Sequence, residues 1–341
     1  MTRKPADAEQ RPPKLQSGTF QVARPRAPEA GVDYPRDLTE LLRLFGSEAA
    51  CQVAIERLRW PRGWVCSRCG WSGAPFRAGR LLGCCECRQV GAITANTAMA
   101  GTITPLHLWF RALWEIATQE SGTSPAAIQR VVGLHHEHAG WELLTRVRSG
   151  MTLTARELLR ANVEVGTCYV EVPWSERSDG RPPRSVAVAI ATERCGNRLA
   201  RVRLRQLGRV DRQSMLDFVT DVVAPGSKIR TGSWPGYAAL ADAGYQLEPC
   251  ADDRSADDDE ADRPDVRRVA EVLRLWLWGT RSATRDRLDH YLDEFVFRFE
   301  RRGCARGLLF YHLLRAAIPA ERGAPVREEE EAEPEPISAT G

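Results

Sequence analysis

The 341-residue chain has no run of about 18 consecutive apolar residues, which excludes a membrane-spanning helix of ordinary length. Its opening, MTRKPADAEQRPPK, lacks the apolar core of a secretory signal, so the expected compartment is the cytoplasm. It also lacks a strong excess of either charge. The net charge of +3 and pI of about 8.4 admit a nucleic-acid partner without requiring one. Hydrophobic residues are 43% and charged residues 27%, which excludes a wholly disordered or fibrous chain. The length predicts two or three domains.

Cysteine is what the sequence has in a pattern. Five of ten lie close together: Cys66, Cys69, Cys84, Cys85 and Cys87. In a reducing compartment such a cluster reads as a metal site rather than a disulfide framework. Cys66-Ser67-Arg68-Cys69 and Cys84-Cys85-Glu86-Cys87 are two C-x-x-C knuckles with fourteen residues between them. Each turns tightly enough for two thiolates to grip one tetrahedral Zn²⁺, and two knuckles close its shell. The expected ligands are Cys66, Cys69, Cys84 and Cys87, with Cys85 a bystander out of register. A redox pair or buried free thiols is the alternative. A closed four-cysteine site is structural and marks a folded module, here a zinc ribbon over 61–98.

Around it the chain divides by composition. Residues 1–34 are rich in proline and charge and are expected to be a disordered arm. Residues 35–60 read as a helical lead-in of two short helices broken at Gly46-Ser47, with Ser47 a cap. Residues 99–155 return to helical periodicity. Gly122-Thr123-Ser124 caps SPAAIQRVV, Gly133 makes a turn, and a second helix runs from His138 to Arg148, which is a helix-turn-helix pattern. His135, His136 and His138, near the start of that second helix, and Arg146 and Arg148, near its end, are the candidate DNA contacts. The histidines could instead be metal ligands, and the arginines could simply solvate a helix end.

From Asn162 the pattern alternates: NVEVGTCYVEV, SVAVAIATE and RLARVRLRQL predict three strands, the last two joined at Cys195-Gly196-Asn197. A helix (Arg212 to Val223), a short strand (Lys228 to Thr231) and further helices follow. This order predicts an α/β domain with a mixed sheet over 161–320. The acidic stretch 252–265 could gather a divalent cation, but repelling like charges and Pro264 favour a solvated loop. Residues 321–341 read as an acidic disordered tail.

Taken together, these segments resemble the bacterial insertion-sequence transposases that place a zinc ribbon and a helix-turn-helix before a DDE nuclease domain, the ISXO-like group. The resemblance runs from about Asp37 to Ala320. It includes Pro105-Leu106 with Trp109, the Gly122–Gly133 segment followed by Arg146-Val147-Arg148, and the closing Trp276-Leu277-Trp278-Gly279-Thr280 and Tyr291-Leu292-Asp293-Glu294-Phe295-Val296-Phe297-Arg298-Phe299. It implies an RNase H-like fold for 161–320, DNA as partner (element terminal repeats included), possible homo-oligomers, and a nucleoid-associated protein. It also implies Mg²⁺ chemistry, in which acidic residues hold two metals that activate the attacking oxygen and stabilise the leaving one.

The chain departs from the family at those acids. Where the family reads V-E-V-D-E-T-Y on its first strand, this sequence reads Val163-Glu164-Val165-Gly166-Thr167-Cys168-Tyr169. Where it reads T-D-G-W-x-G-Y after its fourth strand, this sequence reads Thr231-Gly232-Ser233-Trp234-Pro235-Gly236-Tyr237. Gly166 and Gly232 thus occupy both aspartate positions, and glycine offers no side-chain ligand. The third family residue falls near Glu271 and Arg274. The family's His-Leu before the last long helix is Arg287-Leu288, and the Asn near that helix's end is Glu300. Glu164 is a conceivable substitute, on the same sheet face as Gly166 but about 7 Å along the strand. The resemblance therefore implies a DNA-binding, degenerate or repurposed transposase that keeps a structural Zn²⁺. Two alternatives stand beside it. One is an active enzyme with a displaced carboxylate set using Glu164, Glu271 and an acid of the loop, and with it Mg²⁺. The other is a zinc-ribbon scaffold for protein contacts.

Overall fold

The computed structural model describes residues 27–152, 157–173, 184–249, 264–280 and 283–320. The lead-in forms α1 (Leu38–Phe45) and α2 (Glu48–Arg59). Local chemistry starts both helices. Asp37 accepts a hydrogen bond from the Glu40 N–H and Ser47 one from the Ala50 N–H, each satisfying an otherwise orphaned donor. Part of the arm is ordered, contrary to the expectation for 1–34. Ala30 bridges to Tyr34, Arg36 and Arg43 donate to the carbonyls of Ala30 and Gly31, and the Tyr34 ring lies 6.2 Å from that of Tyr311. Residues 1–26 lie outside the described residues.

Three short strands, β1 (Phe76–Ala78), β2 (Leu81–Gly83) and β3 (Val90–Ala92), form an antiparallel sheet around the cysteine cluster. Then come α3 (Leu106–Thr118), α4 (Pro125–Val132) and α5 (Glu137–Thr152). The α4 helix has its start written in sequence: Ser124 accepts from the Ala127 N–H and Pro125 sits in the first turn, where its missing N–H costs nothing. It ends at Gly133, whose φ of 73° is left-handed and comfortable only for glycine.

The second part is a five-stranded mixed sheet of order β6-β5-β4-β7-β8. Its strands are β4 (Val163–Val172), β5 (Arg184–Cys195), β6 (Arg198–Leu207), β7 (Lys228–Thr231) and β8 (Gln246–Pro249). The first three pair antiparallel, whereas β7 is parallel to β4 and β8 to β7. This is the mixed sheet that the alternating pattern predicts, in the RNase H-like arrangement that the resemblance implies. Odd residues of β4 (Val163, Val165) face α6 (Arg212–Val222) and α7 (Ala238–Asp242). Even ones (Cys168, Val170, Val172) face α8 (Pro264–Thr280) and α9 (Leu288–Glu300).

The exposed edge of β6 is blocked by α9 and the turn after it. Val202 N–H donates to Glu300 at 3.2 Å, Gln206 N–H to Asp289 at 3.3 Å, and Arg302 donates to the Leu199 carbonyl at 2.6 Å. An unpaired strand edge invites another chain, and here side chains take up the Val202 and Gln206 N–H groups and the Leu199 carbonyl.

The last helix, α10 (Arg306–Ala317), does not belong with the sheet as the 161–320 boundary expected. It returns to the helical core, where Phe310 meets Phe45, Phe110 and Trp114, and the Ala98 N–H donates to the Ala317 carbonyl at 2.9 Å. Thus the chain closes on itself next to the ribbon. No helix among the described residues is long and apolar enough to cross a membrane.

Candidate metal centre and nucleic-acid interface

The two knuckles converge. The Sγ atoms of Cys66, Cys69, Cys84 and Cys87 all lie within 4.8 Å of one another. Cys66 and Cys87 are 3.6 Å apart, as are Cys69 and Cys84. Four sulfurs about 2.3 Å from a tetrahedral zinc would sit about 3.8 Å apart, so the set fits that ion without rearrangement. The knuckles are shaped by their own backbone: Gly70 N–H donates to the Cys66 carbonyl and Arg88 N–H to that of Cys84. Burial raises the Cys66 thiol, yet the Cys69 and Arg68 N–H groups and the neighbouring thiols outweigh it and bring it down to about 7. Cys85 is exposed, with its thiol toward the Ala74 carbonyl at 3.6 Å, outside the set.

The knuckles differ in one respect. After Cys69 the left-handed position is Gly70 (φ 73°); after Cys87 the same position is Arg88 (φ 60°). Left-handed backbone costs a residue with a Cβ about 1–2 kcal/mol. Arg62, Arg68 and Arg88 are all exposed and none forms an ion pair among the described residues, whereas Arg77 pairs with Glu56 and Arg80 with Glu48. Sequence reading passed over these arginines. The signal for one of them was there: an arginine stands where the other knuckle has glycine.

The residues expected to contact DNA are divided by the fold. His135, His136 and His138 are exposed in and just after the turn between α4 and α5, with His138 3.5 Å from Glu142. Arg146 is exposed and donates to the Ala100 carbonyl at 2.9 Å. Arg148 is wholly buried, and this corrects its reading as a phosphate contact. Its Nε donates to Glu294 of α9 at 2.8 Å, its Nη2 to the Thr123 carbonyl at 3.1 Å, and its guanidinium lies 4.1 Å from the Tyr291 ring centre. Burial alone would raise the Glu294 carboxyl, but Arg148 and Arg298 hold it below the usual carboxylate range. The outward face of α5 presents Glu137, Glu142 and Arg146, two acids against one arginine, so it is not a basic surface.

On the sheet, Gly166 pairs with Ile190 of β5 and lies on the face that α8 covers. The parallel register of β4 with β7 matches Val163 to Ile229 and Glu164 to Arg230. Gly232 follows the end of β7, and the same register continued two residues would bring it opposite Gly166. Glu164 is buried and occupied. Its carboxylate accepts from the Asp265 N–H at 3.0 Å and the Val266 N–H at 3.4 Å, capping α8, and lies 3.5 Å from Arg230. Burial, reinforced by the Asp265 charge, raises its pKa. Asp265, the last residue of the expected acidic loop, is buried in the first turn of α8 and forms a two-pronged pair with Arg194; residues 250–263 lie outside the described residues.

Glu271 is exposed on α8 beside Arg267, while the sheet-facing residues Val266, Val269, Ala270, Leu273 and Leu277 are apolar. Neither acid is therefore aimed with the other at the Gly166 position. Among the described residues, the cysteine quartet is the one group of three or more potential ligands drawn together.

Comparison with known proteins agrees with this architecture. No curated protein matches the chain. The ISXO2-like transposase domain matches residues 128–300, about half the chain, from the middle of α4 to the end of α9. With the mixed sheet and the cysteine ribbon that precedes it, this match places the chain in the ISXO2-like transposase family.

Proposed function

We propose that this chain is a DNA-binding transposase relative that keeps a structural zinc module and has lost two-metal strand transfer. The observation that supports the reading is the parallel register of β4 with β7, Val163 to Ile229 and Glu164 to Arg230; continued two residues it would bring Gly166 and Gly232 together, and neither offers a side-chain ligand. Two-metal phosphoryl transfer depends on ions that hold the attacking and leaving oxygens, so without ligands most of the rate enhancement goes.

DNA contact is assigned to the exposed Arg62, Arg68 and Arg88 of the ribbon, with His135, His136, His138 and Arg146 at the helix-turn-helix as lesser contributors. The charge balance supports the ribbon over α5. Zn²⁺ is the resident ion, Mg²⁺ has no assigned site, and the setting is the cytoplasmic nucleoid. Element terminal repeats are the natural first DNA probe, and self-association would accompany their pairing.

The test is a supercoiled-plasmid nicking assay with Mg²⁺ or Mn²⁺, run beside a salt-dependent titration of duplex DNA. Expected are binding with a clear salt slope and no cleavage. Gly166→Asp or Gly232→Asp alone should change little, because ligands that act as a unit are strongly non-additive. The double variant should gain stabilisation by Mg²⁺. Nicking by the unmodified protein, lost in Glu164→Gln, would establish a displaced catalytic carboxylate instead. Absence of DNA binding at low salt would leave the ribbon as a protein-contact scaffold.

A further inference from the structure

The ribbon region is tied to the last described helix. The carbonyl of Ala317, the last residue of α10, accepts from the N–H of Ala98, the last residue of the ribbon region, and Pro319 lines a groove with Asn96, Ala98 and Arg146. The 21 residues that follow Ala320 include Glu328, Glu329, Glu330, Glu331, Glu333 and Glu335, six acids in eight positions.

We propose that this acidic segment docks on Arg62, Arg68 and Arg88 of the ribbon and occupies the surface as a polyanion. The assignment of DNA to the same arginines adds a consequence, competition between segment and duplex, which rests on the function proposed above; the docking itself does not.

Three observations carry it. The first is reach. Arg88 lies ten residues from Ala98, so it is at most about 34 Å away; Glu328 lies eleven residues from Ala317, which spans up to about 37 Å extended. The chain is thus long enough for the glutamates to reach the knuckle that carries Arg88. The second is complementarity. The three arginines are exposed and without acidic partners among the described residues, while Arg77 on β1 and Arg80 in the turn before β2 are paired with Glu56 and Glu48. The third is Arg88 itself, kept in left-handed backbone where the sister knuckle has Gly70. A strained residue with a charged, unpaired side chain marks a binding role rather than a folding one. The segment belongs to the same chain, which gives it a high effective concentration at the ribbon, so weak charge pairs suffice.

The test uses the full-length, zinc-loaded protein and a protease that cleaves after glutamate. Cleavage within 328–335 should be several-fold slower at low ionic strength than in 0.5 M salt (about a 4 Å Debye length). It should become fast at low salt in the Arg62→Gln/Arg68→Gln/Arg88→Gln variant, whose zinc content verifies its ribbon. Equal rates in the two proteins at low salt would overturn the proposal. A second arm changes all six glutamates to glutamine and leaves the ribbon untouched. Hydrogen exchange over residues 61–92 should then be faster than in the unmodified chain, and unchanged exchange would count against docking. In that variant, duplex DNA should bind about tenfold tighter at low salt. If neither protein binds DNA while the segment stays protected, the DNA reading fails and the docking stands.

Discussion

Arg148 of α5 and Glu294 of α9 form an ion pair with both side chains wholly out of solvent, 146 residues apart in sequence. Glu294 also takes Arg298, which reaches on to the carbonyls of Ile116 and Gln119 at the end of α3. One carboxylate thereby ties the helical core to the sheet. A buried charge is costly when stripped of its partner, so Glu294→Ala should destabilise the protein by about 3–5 kcal/mol. Urea unfolding checks this. A milder loss in Arg148→Met/Glu294→Leu than in the single variant would identify the orphaned charge, rather than lost packing, as the cause.

Asp293 stands one residue earlier on α9. Burial and the Asp289 charge push its carboxyl up to about 7, with Arg148 opposing. A carboxyl raised on folding holds its proton more tightly in the native state. Its stabilising contribution is full below the unfolded value near 3.9 and is lost as pH rises through about 7. Asp293→Asn should therefore flatten a decline in stability between roughly pH 4 and 7. Urea midpoints across that range for both proteins measure it, and parallel curves would assign the decline to other groups.

The quartet of sulfurs should hold about one zinc per chain, since a closed four-thiolate shell has room for one ion. Metal analysis gives the count. Cys66→Ser or Cys84→Ser should release the zinc, whereas Cys85→Ser should keep it because that thiol points away. Chelation should loosen the three small strands, whose short pairings contribute little on their own, and leave the five-stranded sheet folded.

Arg88→Gly offers a trade between stability and binding. Relieving left-handed strain should stabilise the ribbon by about 1 kcal/mol. On the function proposed above, loss of the Arg88 charge should lower DNA affinity for all sequences alike and reduce the salt slope by about 1. Thermal melting and a salt series of binding isotherms read the two effects separately. A melting gain with unaltered affinity would remove Arg88 from the interface.

Where the physics is local, the sequence by itself decided the structure. Two C-x-x-C knuckles specify a four-sulfur site because each turn alone presents two thiols to one side. Ser47 and Ser124 start α2 and α4, and Gly133 ends α4, through contacts made within four residues. Alternation from Val163 and Arg198, and the short run Lys228–Thr231, yield β4, β6 and β7 because side chains two apart share a face.

What only the tertiary structure decided depends on partners distant in the chain. Arg148 looks like an arginine at a solvated helix end until Glu294 meets it. Glu164 looks like a spare metal ligand until α8 arrives with its unsatisfied N–H groups at Asp265 and Val266. The strand β8, four residues long and without a strong apolar pattern, exists because β7 offers an edge to pair with. The helix α10 follows the sheet in sequence but buries Phe310 and Leu314 in the first core. In each case the deciding term is burial or desolvation supplied by another segment, and a periodicity or a cap carries no record of which segment that will be.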